Sequence, residues 1–292
     1  MKSAQLHIVR PVFLVLFLAL IQACNVTKVR SSHNLLDGEI LTVVHACGGF
    51  ETFRNNVPDN TVEALERSLA QGADGIEFDL QMTADSQLVA FHDADLSKAT
   101  TCTGCIHAKT LAEVKECRYK TRNGSLDGDY EIPTFAELLT VFSGHSRPVW
   151  MFANTKHFTS CEPEDLGQFY PLFAGEILRL VESHGLQEQF VLESLDADFL
   201  MAARNIQPNA QLLFDDEDFE RGMQVVREHQ FLGLAISNSA ITEDQVKAAH
   251  LENFWLGIWG VKVIEGTKKA VVKGPEFIMT DDLQMLQGQL EE

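Results

Sequence analysis

The sequence predicts an α/β protein with one domain, a (β/α)8 TIM barrel that spans residues 39–292. Short apolar runs alternate with amphipathic helical segments, which is typical of parallel β-sheet proteins. Eight such strand–helix units can be counted, and the chain is long enough for one barrel of about 250 residues. Several of the runs end in polar or ionisable side chains, as strands do at the mouth of a barrel.

The elements follow one another along the chain without a visible repeat or second domain. The eight strands are predicted at 40–45, 76–80, 149–154, 190–193, 211–214, 232–236, 254–259 and 277–280, with an extra short strand at 88–92. Asp59 or Asn60 is expected to cap the first helix, which ends at Gly72, because such side chains accept hydrogen bonds from exposed N–H groups. Further helices are predicted at 111–117, 134–142, 166–184, 196–204, 219–229, 243–251, 263–272 and 283–290.

The net charge of -19 is spread along the chain and is not blocked into a tail. A surface of this sign repels nucleic acid and anionic lipid headgroups, so we expect no nucleic-acid partner. An anionic substrate would need a local cation at the site.

The N-terminal segment has the features of a secretion signal. Lys2 and Arg10 precede an apolar run at 11–21 that is short for a transmembrane helix. The sequence Leu-Ile-Gln-Ala-Cys at 20–24 resembles a bacterial lipoprotein signal, although Gln22 is less usual in that motif. Ordinary cleavage near Ala23 and an uncleaved anchor remain alternatives.

The lipoprotein resemblance implies a location for the mature chain. Residues 1–23 would be removed, Cys24 would carry the lipid, and the polar segment 24–38 would act as a tether. The residue after the cysteine is Asn25 and not Asp, which in Gram-negative bacteria suggests sorting to the outer membrane. We therefore expect a lipid-anchored protein on the periplasmic side of the cell envelope.

The cysteine content fits an oxidising compartment. If Cys24 is lipidated, an odd number remains and at least one is unpaired: Cys47, Cys102, Cys105, Cys117 and Cys161. We expect a disulfide within the loop that holds residues 102–117, with Cys161 as a further partner. The Cys-x-x-Cys spacing at 102–105 also occurs in zinc and redox sites, but no second Cys or His pair at finger spacing accompanies it.

The stretch around Glu77 and Asp79 contains the first candidate functional residues. The two acids alternate with Ile76, Phe78 and Leu80, so they project from one face of a strand. Their shared face predicts a metal site; a solvated polar strand edge is the alternative.

Two histidines and a second polar pair end other predicted strands. The strand at 40–45 stops at His45, and the short strand at 88–92 stops at His92. Asn154 and Lys156 alternate at the end of the strand that begins at 149. Strand ends of a barrel meet at one mouth, so these groups are expected to converge there.

These residues are part of a longer pattern that resembles the glycerophosphodiester phosphodiesterase family from about residue 42 to 286. The strongest blocks are Pro-Asp-Asn-Thr at 58–61, Gly-Ala-Asp-Gly-Ile-Glu-Phe-Asp at 72–79 and Phe-His-Asp at 91–93. Weaker matches are Lys156, Trp-Gly-Val-Lys at 259–262 and Ile-Met-Thr-Asp at 278–281.

The resemblance implies a (β/α)8 barrel enzyme that hydrolyses glycerophosphodiesters, which are small molecules, to glycerol 3-phosphate and an alcohol. It implies that His45 and His92 are the acid/base pair and that a divalent cation, Ca²⁺ or Mg²⁺, is held at the acidic positions. It also implies that Lys156 contacts the phosphate. It further implies that Glu77, Asp79 and Asn154 bind the cation and that Trp259 packs against the glycerol.

Two positions depart from the family pattern. Ala46 stands where the family usually has Arg, and Asn154 stands where it usually has a third acidic ligand. The first change removes a bidentate phosphate contact, and the second removes a negative charge from the cation site. A weakened or inactive barrel that acts as a binding lipoprotein is therefore an alternative function. A phospholipase D-like or C-like activity on lysolipids is another.

Overall fold

The computed structural model describes residues 34–49, 56–120, 129–156 and 159–291. The predicted signal segment, Cys24 and all but the last residues of the predicted tether lie outside these ranges. Within them, no helix combines the length and the apolar character needed to cross a membrane.

Eight parallel strands close into a barrel, which confirms the predicted (β/α)8 TIM fold. The strands are β1 Leu41–Val44, β2 Gly75–Met82, β3 Leu88–Ala90, β4 Trp150–Thr155, β5 Phe190–Ser194, β6 Gln211–Asp216, β7 Gly233–Ser237, β8 Trp255–Val261 and β9 Phe277–Thr280. The sheet order is β1-β9-β8-β7-β6-β5-β4-β2-β3, and a β1–β2 pairing closes it. Of the strands in the described ranges, β3 alone is outside the barrel, because it pairs antiparallel with the end of β2.

Helices follow the barrel strands and cover the outside of the sheet. They are α1 Val62–Ala70, α2 Leu111–Lys115, α3 Phe135–Gly144, α4 Leu166–Ser183, α5 Ala197–Ile206, α6 Phe219–His229, α7 Glu243–Leu251, α8 Ile264–Lys273 and α9 Leu283–Glu291. The prediction that Asp59 or Asn60 caps α1 is wrong, because the side chain of Thr61 accepts the hydrogen bond from the Ala64 N–H. Asn60 has a left-handed backbone with φ of 54° and directs its amide elsewhere.

The interior of the barrel changes from apolar to polar along the strands. Its lower layer is one cluster of buried apolar side chains: Val43, Phe152, Val191, Leu213, Ala235, Phe277 and Met279. Side chains two residues apart on a strand face the same side. The next inward positions after Phe152 and Val191 are therefore Asn154 and Glu193. Polar groups consequently lie above an apolar floor, at the carboxyl ends of the strands where barrel enzymes place their sites.

An insertion between β3 and α3 forms a second, smaller core beside the mouth. The predicted disulfide within this loop is present as Cys102–Cys117, and Cys105 pairs with Cys161. The second bond ties the insertion to the 3-10 turn that follows β4. Cys102 and Cys105 therefore belong to different disulfides, so neither is a thiolate ligand for zinc. Cys47 is buried and carries a free thiol.

The two disulfides should stabilise the insertion chiefly by restricting the unfolded chain. We expect the variant C105S/C161S to lose about 2–4 kcal/mol of unfolding free energy, as is usual for loops of this size. The measurement is the midpoint of urea denaturation. A reductant should shift the midpoint of the wild type but not that of a variant lacking all four of these cysteines. Equal midpoints for C105S/C161S and the wild type would contradict the predicted stabilisation.

Candidate active site

His45 lies at the turn after β1 and is fixed by an acid that follows β9. Its Nδ1 donates to Asp281 Oδ1 over 2.9 Å, and its Nε2 lies 3.8 Å from Glu77 Oε2. Burial would lower the pKa of His45, but the hydrogen bond to Asp281 and the charge of Glu77 outweigh burial, so this pKa is raised. The contact between Asp281 and His45 orients the ring with Nε2 toward Glu77.

Glu77 and Asp79 project from β2, which is buried along its whole length. Glu77 Oε2 accepts a hydrogen bond from the backbone N–H of Ala46 over 2.7 Å. Asp79 Oδ2 accepts one from Asn60 Nδ2 over 2.6 Å, and the Asp79 N–H donates to Asn60 Oδ1 over 2.9 Å. The backbone of Asn60 also donates to Ala46 O. This contact with Asp79 is the physical reason that Asn60 is not the helix cap.

The two acids differ in how readily they ionise because their neighbours differ. Burial, reinforced by the charge of Asp79, raises the pKa of Glu77. Burial also opposes ionisation of Asp79, but the Lys156 ammonium and then His92 and His45 outweigh it, so the pKa of Asp79 is lowered. Asp79 is therefore the ionised carboxylate around which the positive groups of the site gather.

Lys156 contacts Asp79 from a further strand end, and His92 influences it electrostatically from another. Lys156 Nζ lies 2.9 Å from Asp79 Oδ1, and only 16% of the lysine side chain is exposed. His92 Nδ1 lies 3.3 Å from Asp93 Oδ1. The hydrogen bond to Asp93 and the charge of Asp79 outweigh burial and raise the pKa of His92. The structure thus brings His45, His92 and Lys156 into the field of one carboxylate.

Asn154 lies directly beside Asp79, as alternation along neighbouring parallel strands requires. The Cα positions of Asp79, Asn154 and Glu193 are successive partners on β2, β4 and β5. Asn154 Nδ2 donates to Glu193 Oε1 over 3.1 Å. Burial and then the charge of Asp215 raise the pKa of Glu193 well above its usual range. Sequence analysis did not select Glu193, although it ends an apolar strand in the way that His45 does.

Trp259 and Asp215 complete the wall of the mouth on the side of β6 and β8. Trp259 Nε1 donates to Asp215 Oδ1 over 3.0 Å. The pairing of β8 with β9 slips between Ile258 and Val261, and Gly260 has φ of 77° in this bulge. Bulges of this kind re-aim side chains next to active sites. Asp215 was also missed, because the predicted strand stopped one residue before it.

Three buried carboxylate oxygens in this mouth have no hydrogen-bond partner among the described residues, and one of them, Asp79 Oδ1, is instead ion-paired with Lys156. The other two have no ion-pair partner among those residues either. They are Glu77 Oε1 and Glu193 Oε2, and both side chains are 1% exposed. In the same ranges, no three or more His, Cys, Asp or Glu side chains are grouped so that they could hold a metal ion with the side chains in these positions.

Comparisons with known proteins identify the family. Residues 52–285 match the Glycerophosphoryl diester phosphodiesterase family. A glycerophosphodiester phosphodiesterase from Caldanaerobacter subterraneus subsp. tengcongensis is 23% identical over 238 residues, which cover 79% of this chain and 91% of that protein.

Solved structures show the same fold. A glycerophosphodiester phosphodiesterase from Parabacteroides distasonis superposes with a TM-score of 0.72 at 20% identity, covering 86% of this chain and 97% of the other. An Oleispira antarctica phosphodiesterase in complex with the product sn-glycerol-3-phosphate gives a TM-score of 0.74 at 19% identity, covering 86% and 97%. The chain described here forms the same barrel and carries acids and histidines at its strand ends. It belongs to the glycerophosphoryl diester phosphodiesterase family of phosphoric diester hydrolases.

Proposed function

We propose that this protein hydrolyses glycerophosphodiesters to glycerol 3-phosphate and an alcohol with the help of Ca²⁺ or Mg²⁺ and two histidines. The observation that carries the proposal is the convergence of His45, His92 and Lys156 around Asp79 at the carboxyl ends of the strands. The Oleispira antarctica phosphodiesterase, which has the same fold, is a complex with sn-glycerol-3-phosphate.

The acidic residues of the mouth fit a divalent cation. Glu77 Oε1 is buried and unpartnered within the described ranges, and Asp79 lies on the same face of β2. Asn154 is the register partner of Asp79 and offers an amide oxygen. Oxygen ligands of this kind suit the hard cations Ca²⁺ and Mg²⁺. A cation held there would neutralise the negative charge that develops on the phosphoryl oxygens.

The two histidines supply the proton transfers. The Asp281 carboxylate accepts from Nδ1 of His45, which leaves Nε2 as the atom that exchanges a proton with the substrate. One imidazole takes the proton of the attacking hydroxyl, and a glycerol hydroxyl is a suitable internal nucleophile because it is already held close. The other imidazole protonates the leaving alkoxide, whose high pKa makes an unassisted departure slow. This step releases the alcohol and leaves a cyclic phosphodiester of glycerol. Water would then open the ring, with the two imidazoles in exchanged roles, to give glycerol 3-phosphate.

Lys156 and Trp259 are proposed to bind the substrate. The Lys156 ammonium is buried and fixed, and burial is outweighed by Asp79 and Glu77, so its pKa is raised and its charge is secure. It can therefore stabilise a phosphoryl oxygen without losing its proton. The Trp259 indole, held by Asp215, offers an apolar face to the glycerol carbons.

We also propose that Cys24 carries a lipid that anchors the protein to the outer membrane on its periplasmic side. This proposal is supported by the sequence at 20–25 alone.

Hydrolysis should depend on the cation. Purified protein is expected to release glycerol 3-phosphate from glycerophosphocholine with Ca²⁺ or Mg²⁺, to lose this activity in excess chelator, and to regain it when the cation is restored. An enzyme-coupled assay for glycerol 3-phosphate follows the reaction, and phosphorus NMR distinguishes these products from those of a phospholipase acting on lysolipids. No turnover of any glycerophosphodiester with either cation would exclude the proposal and leave the binding-protein alternative.

Loss of either imidazole should slow the chemical step. We expect His45→Ala and His92→Ala each to lower kcat by about 10²–10⁴-fold, the usual contribution of a general acid or base. His145→Ala is the matched control, because His145 follows α3 at the opposite end of the barrel, and it should leave kcat unchanged. Wild-type kcat in either site variant would refute its acid/base role.

Lipidation should control where the protein is found. Cys24→Ser is expected to move the mature protein from the membrane fraction to the soluble fraction of lysed cells, as judged by immunoblotting, since a lipid chain supplies membrane affinity. Persistence of the variant in the membrane fraction would contradict anchoring through Cys24.

A further inference from the structure

We propose that Glu193 is the third acidic residue of the cation site and replaces the negative charge that is missing at Asn154. The inference rests on the cation-dependent phosphodiesterase proposed above. It assigns a ligand from β5, one strand beyond the position at which the family pattern carries its third acid.

The strand register places Glu193 beside the predicted ligands. Asp79 pairs with Asn154, and Asn154 pairs with Glu193, so the three residues form one level across β2, β4 and β5. Residues paired in this way point to the same side of a sheet, and adjacent strands are about 4.8 Å apart. Their side chains therefore enter the barrel at the same height, directly above Phe152 and Val191 of the apolar floor.

One of the two carboxylate oxygens of Glu193 has no hydrogen-bond partner among the described residues. Oε1 accepts the hydrogen bond from Asn154 Nδ2, whereas Oε2 is buried and has no partner among the described residues. An acceptor left in this state is costly unless something else compensates it. Glu77 Oε1, on the same inward face of the barrel, is in the same state. Two unpartnered carboxylate oxygens in one mouth are the arrangement that a divalent cation would satisfy.

The Asn154 amide is compatible with this assignment. Because its nitrogen donates to Glu193, its oxygen is the end that remains for other contacts. The exchange would keep three carboxylates in the mouth, Glu77, Asp79 and Glu193, so the cation would meet the same total negative charge as in a site with an acid at 154.

Cation binding measured directly tests this assignment. Isothermal titration of the purified protein with CaCl2, and separately with MgCl2, is expected to show that E193Q binds at least about 10-fold more weakly than the wild type. The E193Q side chain keeps an acceptor for the Asn154 amide, so a residue that only anchors Asn154 would tolerate the change. E193D keeps the charge but shortens the side chain, and it should bind with intermediate affinity.

A double variant that moves the acid from position 193 to position 154 provides a second test, which does not depend on the single substitutions. N154E/E193Q returns the acid to β4 and should recover most of the affinity lost in E193Q. E276Q is the matched control, because Glu276 is fully buried and precedes β9 at the opposite end of the barrel; its affinity should equal that of the wild type. Circular dichroism confirms that each variant is folded.

The outcomes separate this inference from the proposed function. If E193Q and E193D both bind the cation with wild-type affinity, the role of Glu193 is overturned and cation-dependent hydrolysis is left intact. Failure of N154E/E193Q to gain affinity over E193Q would also overturn the proposed exchange. Absence of binding by the wild type itself would overturn the cation site together with the proposed function.

Discussion

The ion pair between Asp79 and Lys156 is the interaction on which the candidate active site depends. The Asp79 side chain is fully buried, and Lys156 is largely so. Removing either partner of such a pair leaves an uncompensated charge inside the protein, at a cost of about 3–5 kcal/mol. Asn60 adds two further hydrogen bonds to Asp79, one from its amide and one to its carbonyl. The site is consequently rigid where charge must be aimed most accurately.

The barrel makes this concentration of charge tolerable. Below the mouth, the interior is a dry layer of apolar side chains that supplies stability without polar groups. Above it, the acids of β2, β5 and β6 lie close enough to influence one another's pKa values. A fold with its core below and its strand ends above can keep such a strained electrostatic arrangement at one end, while packing elsewhere holds the structure together.

Much of the fold could be predicted from the sequence because the apolar residues of this chain have a different spacing in its strands than in its helices. All eight barrel strands were located to within about two residues, which is the usual uncertainty of such boundaries. That uncertainty mattered at β6, where a strand predicted to end at Phe214 excluded Asp215 from consideration. Glu193 was within its predicted strand, but only the register with Asn154 reveals that it enters the site.

Other features depended on three-dimensional information that residue types do not carry. Asp59, Asn60 and Thr61 are all good helix caps, and Thr61 is used because the side chain of Asn60, on a left-handed backbone, is bonded to Asp79. The presence of disulfides followed from cysteine number and spacing, but the pairing of Cys105 with Cys161 required the insertion to lie against the turn after β4. Asp281 lies within the weaker match at 278–281, but its contact with His45 depends on the closure of β9 onto β1.

The central claim is that the acidic strand ends hold a divalent cation beside the two histidines. The most direct measurement is a crystal structure of the protein grown with Ca²⁺, with the ion located by anomalous scattering. The account predicts one strong anomalous peak within coordination distance of Glu77, Asp79 and Glu193. An empty mouth at saturating Ca²⁺, or a peak confined to the outer surface of the barrel, would contradict it.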